Sequence, residues 1–377
     1  MMKKITIGQL CKPNVGQIKL DDDRLIDYFD IASIDNINKK ITGFTTYTFV
    51  EAPSRARRMI KKDNILVSTI RPNLNAVALF DMNTQNVPVA STGFCVLDCK
   101  EDTNPRFLFY YLQSRFFVNE MVSQATGASY PAVSDKIVRS AHIPVYSYDE
   151  QVVIADMLDK VTYIIAKRKQ QLAKLDELVK ARFVEMFSDT RAEEPLATLC
   201  TFIDYRGKTP EKAERGLPFI TAKNIKMHHM SFGTKEFISK ETYDKVMTRG
   251  FPKVGDVVFT TEAPLGNVCR IPYMKTEFYI GQRIITMQTK ALEPAYLEYA
   301  LSSDDFKRKI LEKSSGSTVT GIRSKLLEQL TIPVPPIAQQ QKFAAFVGQI
   351  EKIRLFIQKN IEKIETLKKA LMQKYFE

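Results

Sequence analysis

Cationic side chains gather at one recurring position in this sequence, ahead of two strand-like runs that open with Asp63 and Asp256. The clusters consist of Arg55, Arg57, Arg58, Lys61 and Lys62 in the first place, and of Lys245, Arg249 and Lys253 in the second. Guanidinium and ammonium groups at a fixed position suit the phosphates of a nucleic-acid backbone. The alternative is an ordinary charged face that contacts only water.

Polar loops follow the same two strand-like runs. The first spans 69–75 and supplies Thr69, Arg71, Asn73 and Asn75, and the second spans 261–267 and supplies Glu262 and Asn267. Because arginine and asparagine can each form paired hydrogen bonds with the edge of guanine or adenine, these loops are candidate base-reading segments. Alternatively, asparagine and proline here only shape the turn.

A further pair of matching loops carries small hydroxyl groups and backbone N–H groups. Its candidate contact residues are Ser129 and Tyr130 in the first loop, and Ser317 and Thr318 in the second.

Side-chain patterns for catalysis are missing from the sequence. It contains neither a glycine-rich phosphate cradle nor the Asn/Asp-Pro-Pro-aromatic tetrapeptide of amino-methyltransferases. His142 lies in an apolar segment that favours a structural role, and His228 and His229 lie in a polar turn. Cys95 and Cys99 would share one strand face, with no second cysteine pair to complete a zinc site. We therefore expect no catalytic residue, metal site or cofactor in this chain.

The chain repeats itself at a spacing of 189 residues. Matching pairs are Ile143-Pro144-Val145 with Ile332-Pro333-Val334, Gln151 with Gln340, and Phe187 with Phe376. One register holds from Pro105 to Phe187 without a gap, whereas the match further upstream needs small shifts. A repeat of this length indicates duplication of a whole domain rather than a solenoid.

Each copy begins with a segment that mixes short strands, turns and a helix, which predicts a compact α+β domain. The strand candidates are 65–70, 94–97, 257–261 and 284–287, and the helix candidates are 107–122 and 296–311. The predicted division is 1–150 for the first domain, 151–190 for its long helix, 191–338 for the second domain and 339–377 for the second long helix.

The long helices carry apolar residues at alternating steps of four and three, beginning at Ile154 and Phe343. This spacing is typical of a coiled-coil seam. The pattern therefore favours two long helices packed on each other, the alternative being two ordinary amphipathic core helices.

Overall composition fits a protein of two domains with a polyanionic partner. The 377 residues are 44% hydrophobic and carry a formal net charge of +12. The absence of a long apolar run predicts no membrane span, and five scattered cysteines favour the reducing cytoplasm.

Together these features resemble the specificity subunits of type I restriction–modification systems. The second copy is similar to that family at 204–210, which contains Arg206, Lys208 and Thr209, and at 218–225, which contains Lys223 and Asn224. The Gly255-Asp256 run and the Ile-Pro-Val segment before each helix are further marks. The first copy matches only loosely, at 28–34, and lacks the Asp-Tyr-Arg-Gly stretch.

The resemblance implies a non-catalytic subunit whose two domains each read half of a bipartite site in double-stranded DNA. The long helices would form an antiparallel pair related by a pseudo-two-fold axis. Two methylation subunits, carrying S-adenosylmethionine, would dock on this chain, and restriction subunits would join through them. The competing interpretations are a coiled-coil interaction scaffold without DNA specificity and an enzyme with an unrecognised site.

Overall fold

The computed structural model describes residues 3–13, 15–18, 24–207, 209–314 and 321–377. The chain folds into two compact units, Met1–Lys169 with Gln358–Glu377, and Gln170–Ile357. Each unit contains one mixed α+β domain together with part of both long helices. The predicted fold class is confirmed.

The first domain is built on two small sheets. In one, the Leu25–Phe29 strand pairs antiparallel with Thr45–Thr48 and parallel with Val87–Ser91. In the other, Ile65–Ser68 lies between its two neighbours, and every residue of it is buried. Ile65 and Val67 face one apolar cluster and Leu66 faces another, because alternate residues of a strand point to opposite faces. The described strands are Lys4–Thr6, Leu25–Phe29, Ile34–Asp35, Lys40–Ile41, Thr45–Thr48, Ala56–Met59, Ile65–Ser68, Val77–Leu79, Val87–Ser91, Phe94–Leu97 and His142–Pro144.

The second domain repeats this division of the core. Val257 and Phe259 join one cluster and Val258 joins another, so the Val257–Thr260 strand is also buried on both faces. Its strands are Glu193–Pro195, Cys200–Asp204, Leu217–Ile220, Ile225–Lys226, His229–Met230, Phe237–Ile238, Val257–Thr260, Val268–Arg270, Tyr279–Ile280, Ile284–Thr289 and Thr331–Pro333.

The Ile-Pro-Val segments close each domain just before its long helix. Ile143 pairs with Ile5 in the first unit, and Ile332 pairs with Glu194 in the second. The first and last strands of each domain therefore meet at the point from which the long helix departs.

A single helix was expected after the last strand of each sheet, and this prediction was wrong. The structure has two helices in each copy, because Ser114 and Ser303 adopt extended backbone and each caps a new helix by accepting a hydrogen bond from the amide three residues on. The short helices are Ile7–Leu10, Pro105–Tyr111, Arg115–Gln124, Asp135–Ser140, Leu196–Leu199, Lys240–Val246, Pro294–Ser302, Asp304–Lys313 and Ser324–Gln329, with 3-10 turns at Ile31–Ser33 and Pro72–Leu74.

The long helices span Tyr148–Phe187 and Ile337–Phe376, 40 residues each. Within the first unit, Tyr146 donates a hydrogen bond to the carbonyl of Tyr375, and further along Lys169 pairs with Glu365 at 3.5 Å. Residue numbers rise on one helix as they fall on the other, so the helices run antiparallel.

The second unit pairs the other parts of the same helices in the same sense. Asp176 forms an ion pair with Arg354, and the rings of Phe187 and Phe343 lie 5.5 Å apart. The predicted antiparallel packing is thus present in both units. No helix among the described residues is long and apolar enough to cross a membrane.

Phe376 completes the core of the first unit. Its side chain is fully buried, 5.3 Å from the ring of Phe107 and 5.8 Å from that of Tyr111. We expect Phe376→Ala to lower the free energy of unfolding by about 3–5 kcal/mol, because a large cavity opens. Phe356→Ala is the matched control, since Phe356 is 64% exposed on the same helix and should cost about 0.5 kcal/mol or less. Urea denaturation measures both, and equal losses would contradict this account of the core.

Candidate nucleic-acid interface

The two predicted reading loops of the first unit lie side by side. The amide of Arg71 donates to the carbonyl of Pro131 at 2.7 Å, and that of Val133 donates to the carbonyl of Thr69 at 2.9 Å. Residues 69–75 and 126–133 therefore form one edge, which we call the first reading edge. Ser129 and Asn73 are exposed on it.

Arg71 and Tyr130 form an exposed pair at this edge. The guanidinium carbon lies 4.9 Å from the centre of the tyrosine ring, and Tyr130 is 69% exposed. Stacking on the ring orients the planar guanidinium while its N–H donors stay open to a partner. Arg71 has a positive φ of 50°, a conformation that is uncommon for non-glycine residues and is enriched at functional sites.

Gly127 allows the second loop to turn back on itself. Its φ is +99°, and a Cβ there would lie 2.9 Å from the carbonyl oxygen of Tyr130. A side chain at this position would displace Tyr130 and so disturb its contact with Arg71.

Two predicted contact residues are instead used inside the protein. The Thr69 hydroxyl donates to the carbonyl of Gly93 at 2.9 Å. The Asn75 amide donates to the carbonyl of Leu112 at 2.9 Å, and its oxygen accepts from Lys39 at 2.8 Å. Buried polar groups must be hydrogen-bonded, so these side chains build the loop rather than face a base.

The basic run of the first copy does not form a single patch. The run includes the extended Ala56–Met59 strand, which spreads the basic residues along its length at about 3.3 Å per residue. Arg57 lies over the ring of Phe49, Arg58 pairs with Asp135, and Lys61 pairs with Asp98 at 2.8 Å. Their charges are therefore partly committed to intramolecular contacts.

Arg55 is the member of this run that is both exposed and next to the first reading edge. Its carbonyl accepts from Thr92, and the adjacent Gly93 carbonyl accepts from the amide of Thr69. Lys61 lies beyond the far end of the strand.

The second unit rebuilds the same edge around residues 261–267. The amide of Thr261 donates to the carbonyl of Arg283, and its carbonyl accepts from Ile322, both at 3.0 Å. Glu262 pairs with Arg283 at 3.0 Å, and both are solvent-accessible. Residue Asn267 donates its side-chain amide to the carbonyl of Ile225 at 2.9 Å, so it is structural. We call this segment the second reading edge.

The remaining predicted residues of the second copy differ in accessibility. Asp204 pairs with Ile285, next to the Ile284–Thr260 pair, so the strand before Arg206 ends at the second reading edge. Arg206 is half-buried, 3.2 Å from Asp204, whereas Thr209 and Lys223 are exposed. Lys208, Ser317 and Thr318 lie outside the described residues.

Asn224, a predicted contact, is fully committed to its own turn. Its oxygen accepts from the amide and hydroxyl of Thr221, and its amide donates to the carbonyls of Ser231 and Thr234. These four bonds use its whole capacity, so it shapes the hairpin that begins at Ile225.

Sequence reasoning missed Arg283 and Lys39. Arg283 occupies the position that Gly93 has in the first copy, since the carbonyl of each accepts from the threonine amide of its reading edge. Both cations come from parts of the chain far from the loops they join, and no local motif marks them.

The buried thiols are chemically quiet. Burial raises the pKa of Cys95, Cys200 and Cys269 to about 12 each, so all three stay protonated at neutral pH. Among the described residues, no group of three or more His, Cys, Asp and Glu side chains is placed to hold a metal ion. His228 instead lies 2.8 Å from Glu298 and stacks on Tyr299.

Comparison with known proteins bears directly on this arrangement. The family model of the type I restriction modification DNA specificity domain matches residues 2–177 and again residues 197–366. The chain belongs to this family. Its two matches coincide with the two copies of the repeat, so the resemblance expected from the sequence is confirmed.

Relatives of this DNA specificity protein carry the corresponding names. A type I restriction enzyme specificity subunit of Methanocaldococcus jannaschii is 23% identical over 71% of this chain and 68% of its own length. The HindI specificity subunit of Haemophilus influenzae is 27% identical over 47% of this chain and 42% of its own.

Two solved structures share the fold. One, from work on complex assembly and conformational transition of the type I R-M system, aligns over 99% of this chain and 97% of its own, with a TM-score of 0.63 and 22% identity. The other, the type I S subunit from M. genitalium, aligns over 100% and 96%, with a TM-score of 0.59 and 16% identity.

Arg71 is the residue of the first reading edge whose loss we expect to weaken specific DNA binding most clearly. Arg71→Ala should cost about 1–3 kcal/mol of binding to the specific duplex, which is what one bidentate arginine–base contact is worth. Lys62→Ala is the control, because Lys62 is exposed beyond the far end of the same domain's strand. Fluorescence anisotropy of the assembled complex measures both; equal losses would show that only net charge matters.

Proposed function

We propose that this chain selects a bipartite sequence in double-stranded DNA, each unit reading one half-site, and that it contributes no catalytic group. The observation that carries this is the repetition of the described part of the reading edge: Thr69 and Thr261 each bond through both backbone amide and carbonyl to two further segments, and an exposed cation lies beside each. Guanidinium groups on rigid exposed loops suit base edges and phosphates. A protein that served only as a coiled-coil interaction scaffold would not need the same cationic edge in both units.

The partners follow from the family. We propose that two methylation subunits, which bring S-adenosylmethionine, assemble with this chain, and that restriction subunits join through them. One fold relative comes from work on the assembly of a type I R-M system, which supports such a complex. All five cysteines are free thiols, in keeping with the reducing cytoplasm.

Methylation mapping tests the specificity. In a strain that carries this gene and its methylation subunit, sequencing should reveal a bipartite adenine-methylated motif that disappears when this gene is deleted. Exchanging residues 195–320 for those of a relative should change one half-site only. The purified chain by itself should not methylate DNA. A methylated motif that survives the deletion would refute the proposed function.

The long helices should set the gap between half-sites. Seven residues inserted after Gln170 and seven after Ile361 preserve the seam, because seven is one heptad, and lengthen both helices by about 10 Å. At about 3.4 Å per base pair, the accepted gap should grow by roughly three base pairs, with the half-site bases unchanged. Insertion in the first helix alone is the control and should prevent assembly by breaking the facing register. An unchanged gap in an active complex would contradict this role.

A further inference from the structure

A short hairpin adjoins the first reading edge. Its strands are Ile34–Asp35 and Lys40–Ile41, and its turn carries Asn36, Ile37 and Asn38. The Asn36 amide donates to the carbonyl of Leu74 at 3.3 Å. The ammonium of Lys39 donates to the side chain of Asn75 at 2.8 Å. The turn is therefore fixed beside Leu74 and Asn75 of the first reading edge.

The turn is held in one conformation by its own residues. The Asp35 carboxylate accepts from the amides of Ile37 at 2.9 Å and Asn38 at 3.0 Å. The side-chain and backbone hydrogen bonds from Asn38, followed by the backbone bond from Ile37, hold the pKa of Asp35 below its usual range. Lys39 adopts a φ of +57° that turns its side chain inward. Burial, followed by the facing charge of Lys368, lowers the pKa of Lys39 to about 8.

Ile37 projects from this rigid tip. Its side chain is 80% exposed, and the neighbouring Leu74 is 47% exposed. An apolar side chain on a turn that is fixed to the first reading edge can meet a base edge without losing much further conformational freedom. The apolar group that a base presents in the major groove is the methyl of thymine.

The second unit preserves the same placement with other side chains. Its hairpin strands are Ile225–Lys226 and His229–Met230, and Asn267 of the second reading edge bonds to the carbonyl of Ile225. His228 has a φ of +62° just before the second strand, as Lys39 has in the first unit, and it also turns inward, to Glu298. The duplication thus kept the scaffold of the hairpin while its tip diverged, as expected of a segment that reads different bases.

We propose that the turn 36–38 is a third reading segment of the first unit, in which Ile37 contacts the methyl group of one thymine in its half-site. This rests on the proposed function, since it requires that the first unit read DNA.

The test uses the assembled complex and its own methylated motif. Each thymine of the first half-site is replaced in turn by deoxyuridine, which removes the methyl group and keeps the hydrogen-bonding edge. We expect one replacement to weaken wild-type binding several-fold. Ile37→Ser should weaken binding to the unmodified duplex by a similar factor and should no longer respond to that replacement.

Val50→Ser is the matched control, because Val50 is 88% exposed in the same unit. It should bind and respond to deoxyuridine as the wild type does, and both variants should unfold at the wild-type temperature. The inference is overturned if Ile37→Ser binds like the wild type, if it keeps the wild-type deoxyuridine response, or if the first half-site lacks thymine. Failure of the wild type to prefer its motif over unrelated DNA would instead refute the proposed function itself.

Discussion

The fold depends on a reciprocal exchange of helix ends between the two copies of the repeat. Phe376, at the end of the second long helix, lies in the core of the first unit against Phe107 and Tyr111. Its counterpart Phe187, at the end of the first long helix, lies in the core of the second unit, 4.9 Å from Tyr296. Each domain therefore buries an aromatic side chain that the helix of the other copy delivers, and neither core is complete without it.

The reading edges are attached to the same helices that receive these phenylalanines. In the first unit, Leu112 caps the helix that carries Phe107 and Tyr111, and its carbonyl holds the amide of Asn75. In the second, Glu298 lies on the helix that carries Tyr296, and it holds His228 in the hairpin beside residues 261–267. Short chains of direct contacts thus join the coiled-coil seam to the loops, so the orientation of a loop follows from the packing of a helix end.

The sequence predicted features that depend on local or periodic patterns. The repeat, the long helices and the strands at Ile65, Phe94, Val257 and Ile284 all came from spacing and composition, and the structure contains them. The site was less accessible to such reasoning. Residue type alone cannot distinguish Asn73, which is exposed, from Asn75, whose side-chain amide donates a hydrogen bond to the carbonyl of Leu112. Lys39 and Arg283 reach their edges through tertiary contacts. The interruption of the helix at Ser114 depends on the capping hydrogen bond of that serine, which the apolar periodicity of the segment does not reveal.

The first unit is assembled from two segments that are far apart in the sequence, and this affects the order in which its parts are synthesised. Residues up to 169 leave the ribosome early, but the helix that carries Phe376 follows only after the whole second domain. At common rates of synthesis this delay is on the order of 10–40 s, during which the pocket around Phe107 lacks its aromatic side chain. A chain released before residue 376 would lack this side chain, so its first unit would carry a large cavity beside Phe107 and would be less stable than in the complete repeat.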